Sequence, residues 1–565
     1  MLRDQIHEKV EYKTMRDLVE TIGDKYTDKP SFCYRVNPRD PEPKKVSYTK
    51  LRSDIRALGT ELLARGLGGK HIAVIGKHSY PWVVSYFAIL SIGSVLVPLD
   101  RDWAAEDLAT TAAKAEIAFV LIDKDILSKA DLICEACGAP APFVLDVDGE
   151  ADGTMKGLIA VGEGLIASGD DSFHEVEVDP DKLSLLVFTS GTTGKGKGVM
   201  LTQTAILKDL SDIIPFIDFG NKTVNVLPPH HTYGSSVTLL GHASLGIEIY
   251  ISSGIRYILN ELKAEKPGHL ILVPLYLETF YRRIQDNIKK QGKTKLVNTM
   301  IKVSNALRKI GIDLRRKFFG QILEAFGGDL KLIICGGAPI NTTMLDFFEA
   351  IGVRVLNGYG ITECAPIVTV NHSKRTVKGS VGFPLSINDV KINEPNENGE
   401  GEILVKGVNV MLGYYKDEEA TAEAMTEDGY FRTGDYGKIG KNGALYITGR
   451  KKNLIILSNG KNVYPEEIES EFVAIPGLLD IIVYEGKSKR GSDYDAIVAE
   501  IYPDYDYLEK NGITDAQSYF QKFVDEHNST CVPYKKIGVL KVRTEDFPKN
   551  TLRKIMRFKL DVSID

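Results

Sequence analysis

A mostly apolar run, Leu183 to Phe188, breaks off into Thr189-Ser190-Gly191-Thr192-Thr193-Gly194-Lys195-Gly196-Lys197-Gly198. Those ten residues hold four hydroxyls, four glycines and two lysines. Glycine lets the backbone turn its N–H groups inward, and hydroxyls and ammonium groups add donors, which is what a polyphosphate needs. Gly191-x4-Gly196-Lys197 matches the first part of a P-loop, but Gly198 stands where that loop needs Ser or Thr to hold Mg2+. The stretch therefore reads as a phosphate binder of another kind, with a plain flexible turn as the alternative.

The rest of the chain repeats the theme of strand, then glycine. Ile72–Ile75 and Ile117–Ile122 are short apolar strands interleaved with helical spacing at 50–66, 82–93 and 105–115, a βα alternation that predicts parallel pairing. Leu330 to Cys335 is a strand ending in Gly336-Gly337-Ala338-Pro339, and Val353 to Leu356 one ending in Asn357-Gly358-Tyr359-Gly360. Glycines at strand exits lie where α/β sheets bind ligands. From Gly379 the texture changes to short strands, with hairpin turns at Asn396–Gly399, Glu427–Gly429 and Lys441–Gly443. A smaller lysine-rich unit follows. The expected boundary gives domains of residues 1–450 and 451–565.

At 565 residues two or more domains are expected. A net charge of −6 argues against a general nucleic-acid binder. Of six cysteines, Cys134 and Cys137 form a lone CxxC with no second pair for zinc, and read as incidental thiols suited to a reducing cytoplasm. No apolar run reaches the ~18 residues of a membrane span. Residues 280–326 are helical and strongly basic, which is either a solvated face or a surface for anionic headgroups or a phosphorylated ligand.

Eight stretches stand in a fixed order: Thr189–Val199, Leu227-Pro-Pro-His-His231, Gly336–Pro339, Gly358–Glu363, Tyr430–Asp435, Gly449–Lys452, Gly460–Glu467 and Pro548–Arg557. Together they resemble the adenylate-forming superfamily of acyl-CoA synthetases, adenylation domains and luciferases. The resemblance implies an α/β fold: a large N-terminal domain of stacked α/β subdomains plus a small β-rich one, and a mobile C-terminal α+β domain. It implies that Thr189, Ser190, Gly191, Thr192, Thr193, Gly194 and Lys197 hold the ATP phosphates. Gly336, Gly337, Ala338, Asn357, Gly358, Tyr359 and Gly360 would bind adenine, with Tyr359 stacking on it. Thr362 would donate to the α-phosphate and Glu363 would ligate Mg2+. Asp435 would accept from the ribose hydroxyls and Arg450 would contact ribose or phosphate. Lys554 would align carboxylate and ATP, Lys452 would be the hinge, and Gly460–Glu467 would replace Lys554 for the thiol step.

The chain departs from the family pattern at Gly196, where Pro is usual, and at Asn550 and Arg553, which take the Thr and Gly places around Lys554. Lys549 and Arg553 are the nearby fallback candidates for this role. Arg315 to Pro339 resembles long-chain acyl-CoA synthetases, which makes a fatty acid the expected substrate, CoA the expected thiol and an acyl carrier protein the alternative acceptor. A non-catalytic nucleotide binder is the reading from another class. His231, Gly234 and Ser235 are expected at the acyl pocket. Peripheral membrane contact and a homodimer are both compatible with this reading.

Overall fold

The computed structural model describes residues 4–189, 196–338, 340–457, 461–487, 496–549 and 555–564. Two large sheets dominate. The seven-stranded sheet runs, edge to edge, through 413–414, 197–202, 183–189, 95–99, 71–75, 117–122 and 143–144. The nine-stranded sheet runs through 383–384, 367–370, 354–360, 332–335, 269–272, 222–225, 248–251, 30–34 and 44–47. Their central strands pair in parallel, as with Leu272 opposite Cys335 and Cys335 opposite Asn357. These are near-continuous apolar runs because helices cover both faces. The helix Tyr80–Ser91 is buried at all twelve positions, so it has no polar face to present.

Two expectations change in detail. The strand Arg354–Gly360 continues through Asn357-Gly358-Tyr359-Gly360 instead of ending before it, because Asn357 still pairs with Cys335 and Gly358, Tyr359 and Gly360 pair antiparallel with Ile367–Val370. The glycines serve that close pairing: a Cβ on Gly360 would sit 2.3 Å from the Pro366 carbonyl oxygen, and one on Gly358 3.2 Å from that of Thr369. The basic stretch is also not one long helix. It divides into Pro274–Lys290 and Thr294–Arg308, broken where Gly292 takes φ +66°, and then into shorter turns.

A four-stranded antiparallel sheet, in the order 388–393, 401–407, 431–439 and 445–450, carries the later motifs. Beyond it, Ile455–Ile456 pairs with Asn462–Val463, and a three-stranded sheet of Leu478–Gly486, Ala496–Pro503 and Val539–Val542 encloses its own apolar cluster with Phe472, Phe520 and Val524. No helix among the described residues is long and apolar enough to cross a membrane. Cys134 and Cys137 are both free thiols, and burial pushes Cys134 up to about 11, which leaves it inert as a nucleophile.

Candidate active site

The motifs converge on the ends of the central strands. Thr189 and Lys197 are partners across the hairpin of 183–189 and 197–202, so both ends of the glycine-rich loop are fixed. Ser190, Gly191, Thr192, Thr193, Gly194 and Lys195 between them lie outside the described residues. Gly196 has a local reason: a Cβ there would meet the Thr189 carbonyl oxygen at 2.9 Å.

Asp435 is set by a bulge. Around it the strand Phe431–Ile439 places Arg432 opposite Leu404 but Tyr436 opposite Glu402, so three residues face one, and Gly434 takes φ +69°. Bulges re-aim side chains. Asp435 is therefore in a strand, not a free turn. It pairs directly across the sheet with Arg450, whose Nε lies 3.1 Å from Oδ1. The Tyr359 hydroxyl donates to Oδ2 at 2.7 Å. Burial, then the Asp435 charge, holds the Tyr359 phenol well above its ordinary range, so it stays a donor. A carboxylate has about four acceptor sites. Two are used here, which leaves two for a diol.

Thr362 and Glu363 form a short turn just past Gly360. Burial lifts the Glu363 carboxyl above its usual range, against its own backbone N–H and the Tyr414 hydroxyl, which donates to Oε1 at 3.0 Å. Tyr414 also carries the Lys197 ammonium 4.5 Å above its ring. Sequence reasoning missed Tyr414, whose only local signal is Gly413-Tyr414-Tyr415 in a turn-rich region. Among the described residues no group of three His, Cys, Asp or Glu could hold a metal. A lone buried carboxylate still fits Mg2+, which takes one or two protein carboxylates and completes its shell with substrate phosphates and water. The side-chain oxygen of Asn357 is buried without a partner and is suited to accept from an amino group.

Against these residues lies a cavity of about 80 Å³. It is lined by Gly336, Gly337, Gly358, Tyr359 and Gly360 together with Ile213, Ile217, Phe219, Tyr233, Val237 and Ile334. Tyr233 and Val237 come from the π-helix Tyr233–Leu240. Gly234 and Ser235 share that helix but are not among the lining residues. A Cβ on Gly234 would strike the Pro228 carbonyl oxygen at 2.2 Å, and Ser235 Oγ donates to the His231 carbonyl. The ring of His231 lies 4.2 Å from that of His230. Phe219 and its neighbours went unread, although Ile213-Ile-Pro-Phe-Ile-Asp-Phe219 is visibly apolar.

Residues 19–415 match the AMP-binding enzyme family. The chain belongs to that family. It is similar to long-chain-fatty-acid–CoA ligase 5 of Rattus norvegicus, 30% identical over 511 residues that cover 85% of this chain and 74% of that one. It is also similar to the chloroplastic long-chain-fatty-acid–[acyl-carrier-protein] ligase AEE15 of Arabidopsis thaliana, 30% identical over 556 residues, with 85% and 75% covered. In fold it resembles ATP-bound MatB from Rhodopseudomonas palustris, with a TM-score of 0.74 at 24% identity over 96% of this chain and 97% of that one.

As an AMP-binding enzyme the chain keeps its late motifs close together. Lys452 sits in the turn Lys451–Asn453, among the charges of Arg450, Asp435, Arg557 and Glu466. Burial and then Arg450 hold its ammonium below the ordinary lysine range. Lys554, Asn550, Arg553 and Gly460 lie outside the described residues. The fallback Lys549 is committed elsewhere: its ammonium lies 2.7 Å from both Asp480 and Asp546.

Proposed function

We propose that this enzyme activates a medium- or long-chain fatty acid with ATP and passes the acyl group to CoA. The carrying observation is that one cavity is shared by apolar side chains and by the glycines and Tyr359 of the nucleotide motif, so an acyl chain and an adenylate meet at a common wall. A carboxylate oxygen attacks the α-phosphorus, the bond from it to the bridging oxygen breaks, and pyrophosphate leaves with the electron pair. The thiol of CoA then adds to the acyl carbon and loses its proton, and AMP departs.

In this reading Asp435 fixes the ribose, Asn357 the base and Thr362 the α-phosphate. Bound Mg2+ would be held by Glu363 and would neutralise phosphate charge. Lys554 brings the two anions together. Residues 1–450 form the catalytic body, and 451–565 turn about Lys452 to bring 460–467 in for the thiol step.

Incubation with ATP, Mg2+, acids of C2 to C18, and CoA or holo-carrier protein tests this, with AMP and thioester as readouts. AMP formation with C8–C18 acids and thioester on CoA is expected. No AMP with any acid excludes the ligase reading, and thioester on carrier protein alone moves the acceptor to that class. Lys554→Ala abolishes adenylation but spares thioester formation from supplied acyl-adenylate.

A further inference from the structure

The helix Thr294–Arg308 lies on the outside of the molecule, with Val297 and Ser304 inward and most of the rest in water. Its outer face is not an ordinary solvated one. Leu296, Val303, Ile310 and Ile312 are 44–72% exposed. Leu296 and Val303 are seven residues apart and so share one face, and Ile310 continues that spacing into the following turn. Lys295, Lys302 and Lys309 each precede one of these apolar residues and repeat with the same period.

From 287 to 312 there are seven Lys or Arg and no Asp or Glu, in a chain whose net charge is −6. A merely soluble face mixes both signs. Lys290, Lys293, Lys295, Lys302 and Lys309 are exposed and make no ion pair with any described residue. By contrast, the neighbouring Arg308 and Arg315 are each paired with Glu349.

We infer that this face docks on an anionic lipid bilayer: the lysines meet headgroup phosphates, and Leu296, Val303, Ile310 and Ile312 enter the interface. A purely electrostatic partner, such as an acidic carrier protein, has no use for four exposed aliphatic side chains. A purely apolar partner has no use for the unpaired lysines. The combination is the signature of an interfacial helix. The inference stands on surface chemistry and does not depend on the substrate assigned above.

The test is co-sedimentation of the full chain with vesicles of phosphatidylcholine alone or with 30% phosphatidylglycerol. Binding to the anionic vesicles only, lost at 0.5 M NaCl, is expected. Each lysine near such a surface is worth about fivefold in affinity. Lys290, Lys293, Lys295 and Lys302 changed together to Gln should therefore weaken binding by more than ~100-fold. Val303→Asp with Ile310→Asp should weaken it while leaving AMP formation from a dissolved C8 acid unchanged, which also certifies the fold. Equal binding to neutral vesicles, no binding to anionic ones, or binding indifferent to both variants overturns the inference. So does a lysine variant that binds vesicles normally but loses transfer to carrier protein, and so does dimer dissociation as its only effect.

Discussion

Asp435→Asn isolates the ribose contact proposed for this carboxylate. In the parent, Oδ2 accepts from Tyr359 and Oδ1 faces Arg450, and the carboxylate is 4% exposed. Asn has the same shape but one acceptor oxygen. If its NH2 faces Arg450, two donors oppose each other. If it faces Tyr359, the hydroxyl reverses to accept, the carbonyl keeps Arg450, and only one acceptor site remains for a diol. The second arrangement is cheaper. A hydrogen bond to a charged group contributes about 1.5–3 kcal/mol, and the surviving one falls to about 1 kcal/mol when the charge goes. The sum is about 2–5 kcal/mol, or roughly 30- to 5000-fold in ATP affinity. Arg450 is half exposed, so its lost ion pair costs stability at most about 1 kcal/mol. Calorimetry should show the weakened ATP binding, and steady-state pyrophosphate release a raised KM for ATP with KM for the acid within about twofold. The parent should discriminate against 2′-deoxy- or 3′-deoxy-ATP, and the variant should lose most of one penalty. A parent that binds both deoxynucleotides as well as ATP, or a variant impaired only toward the acid, refutes the reasoning.

Gly360→Ala forces a Cβ against backbone at 2.3 Å and should destabilise by about 1–3 kcal/mol, whereas Gly336→Ala, with its nearest contact at 3.4 Å, should leave the melting temperature unchanged while impairing catalysis at the cavity wall; thermal melts of both variants check this. Phe219→Ala removes a cavity wall and should shift the preferred acid to a longer chain, at about 0.8 kcal/mol for each further buried CH2; a profile of kcat/KM against chain length that does not move counts against Phe219. His242 and His269 are fully buried with Nε2 atoms 2.7 Å apart, and burial holds His242 down to about 4 and His269 well below its ordinary value. The unfolded chain takes up these protons below about pH 6.5 while the native pair resists, so the stability is fully present above that pH and lost on acidification toward 4, at about 2.7 kcal/mol per pH unit for two imidazoles. Urea midpoints at pH 7.5, 6.0 and 5.0 should fall steeply in the parent and less so in His242→Gln, and equal slopes would remove the pair as the cause.

The parts legible in the sequence were those whose signal is local. Strand exits announce themselves by glycine, and Gly358 and Gly360 were legible in that way because a backbone that must pair so closely admits little else. The cavity wall was not readable in this way. Ile213, Phe219, Val237 and Ile334 are ordinary apolar residues, and only the tertiary packing of the helix Gln203–Ile213, the loop after it and the π-helix Tyr233–Leu240 against the strand Leu332–Cys335 brings them round one space. Nothing in the composition of Tyr233–Leu240 marks it as a π-helix, since its residues are those of any buried helix; Tyr233 and Val237 line the cavity while Gly234 and Ser235 do not. Lys549 looked like a reserve for Lys554 on spacing alone. Its two aspartates, one of them 69 residues away, are a tertiary fact.

Tyr414 shows why a motif list understates such a site. It lies on the edge strand Gly413–Tyr414, paired with Val199 just beyond the phosphate loop. Its hydroxyl reaches Glu363 at the end of the other large sheet, and its ring carries Lys197. One side chain therefore ties the loop's lysine to the buried carboxylate across two sheets. Lys197 spends its charge on a ring face, where the attraction is worth only about 0.5–2 kcal/mol. A phosphate offers that ammonium more, so a nucleotide would draw Lys197 away at small cost. Glu363, lifted above its usual range by burial, gains in turn from any cation brought beside it. Lys197, held on a ring face, and Glu363, buried with a neutral hydroxyl as its donor among the described residues, are under-compensated in opposite senses, and an anion bound with its counter-cation would satisfy both at once.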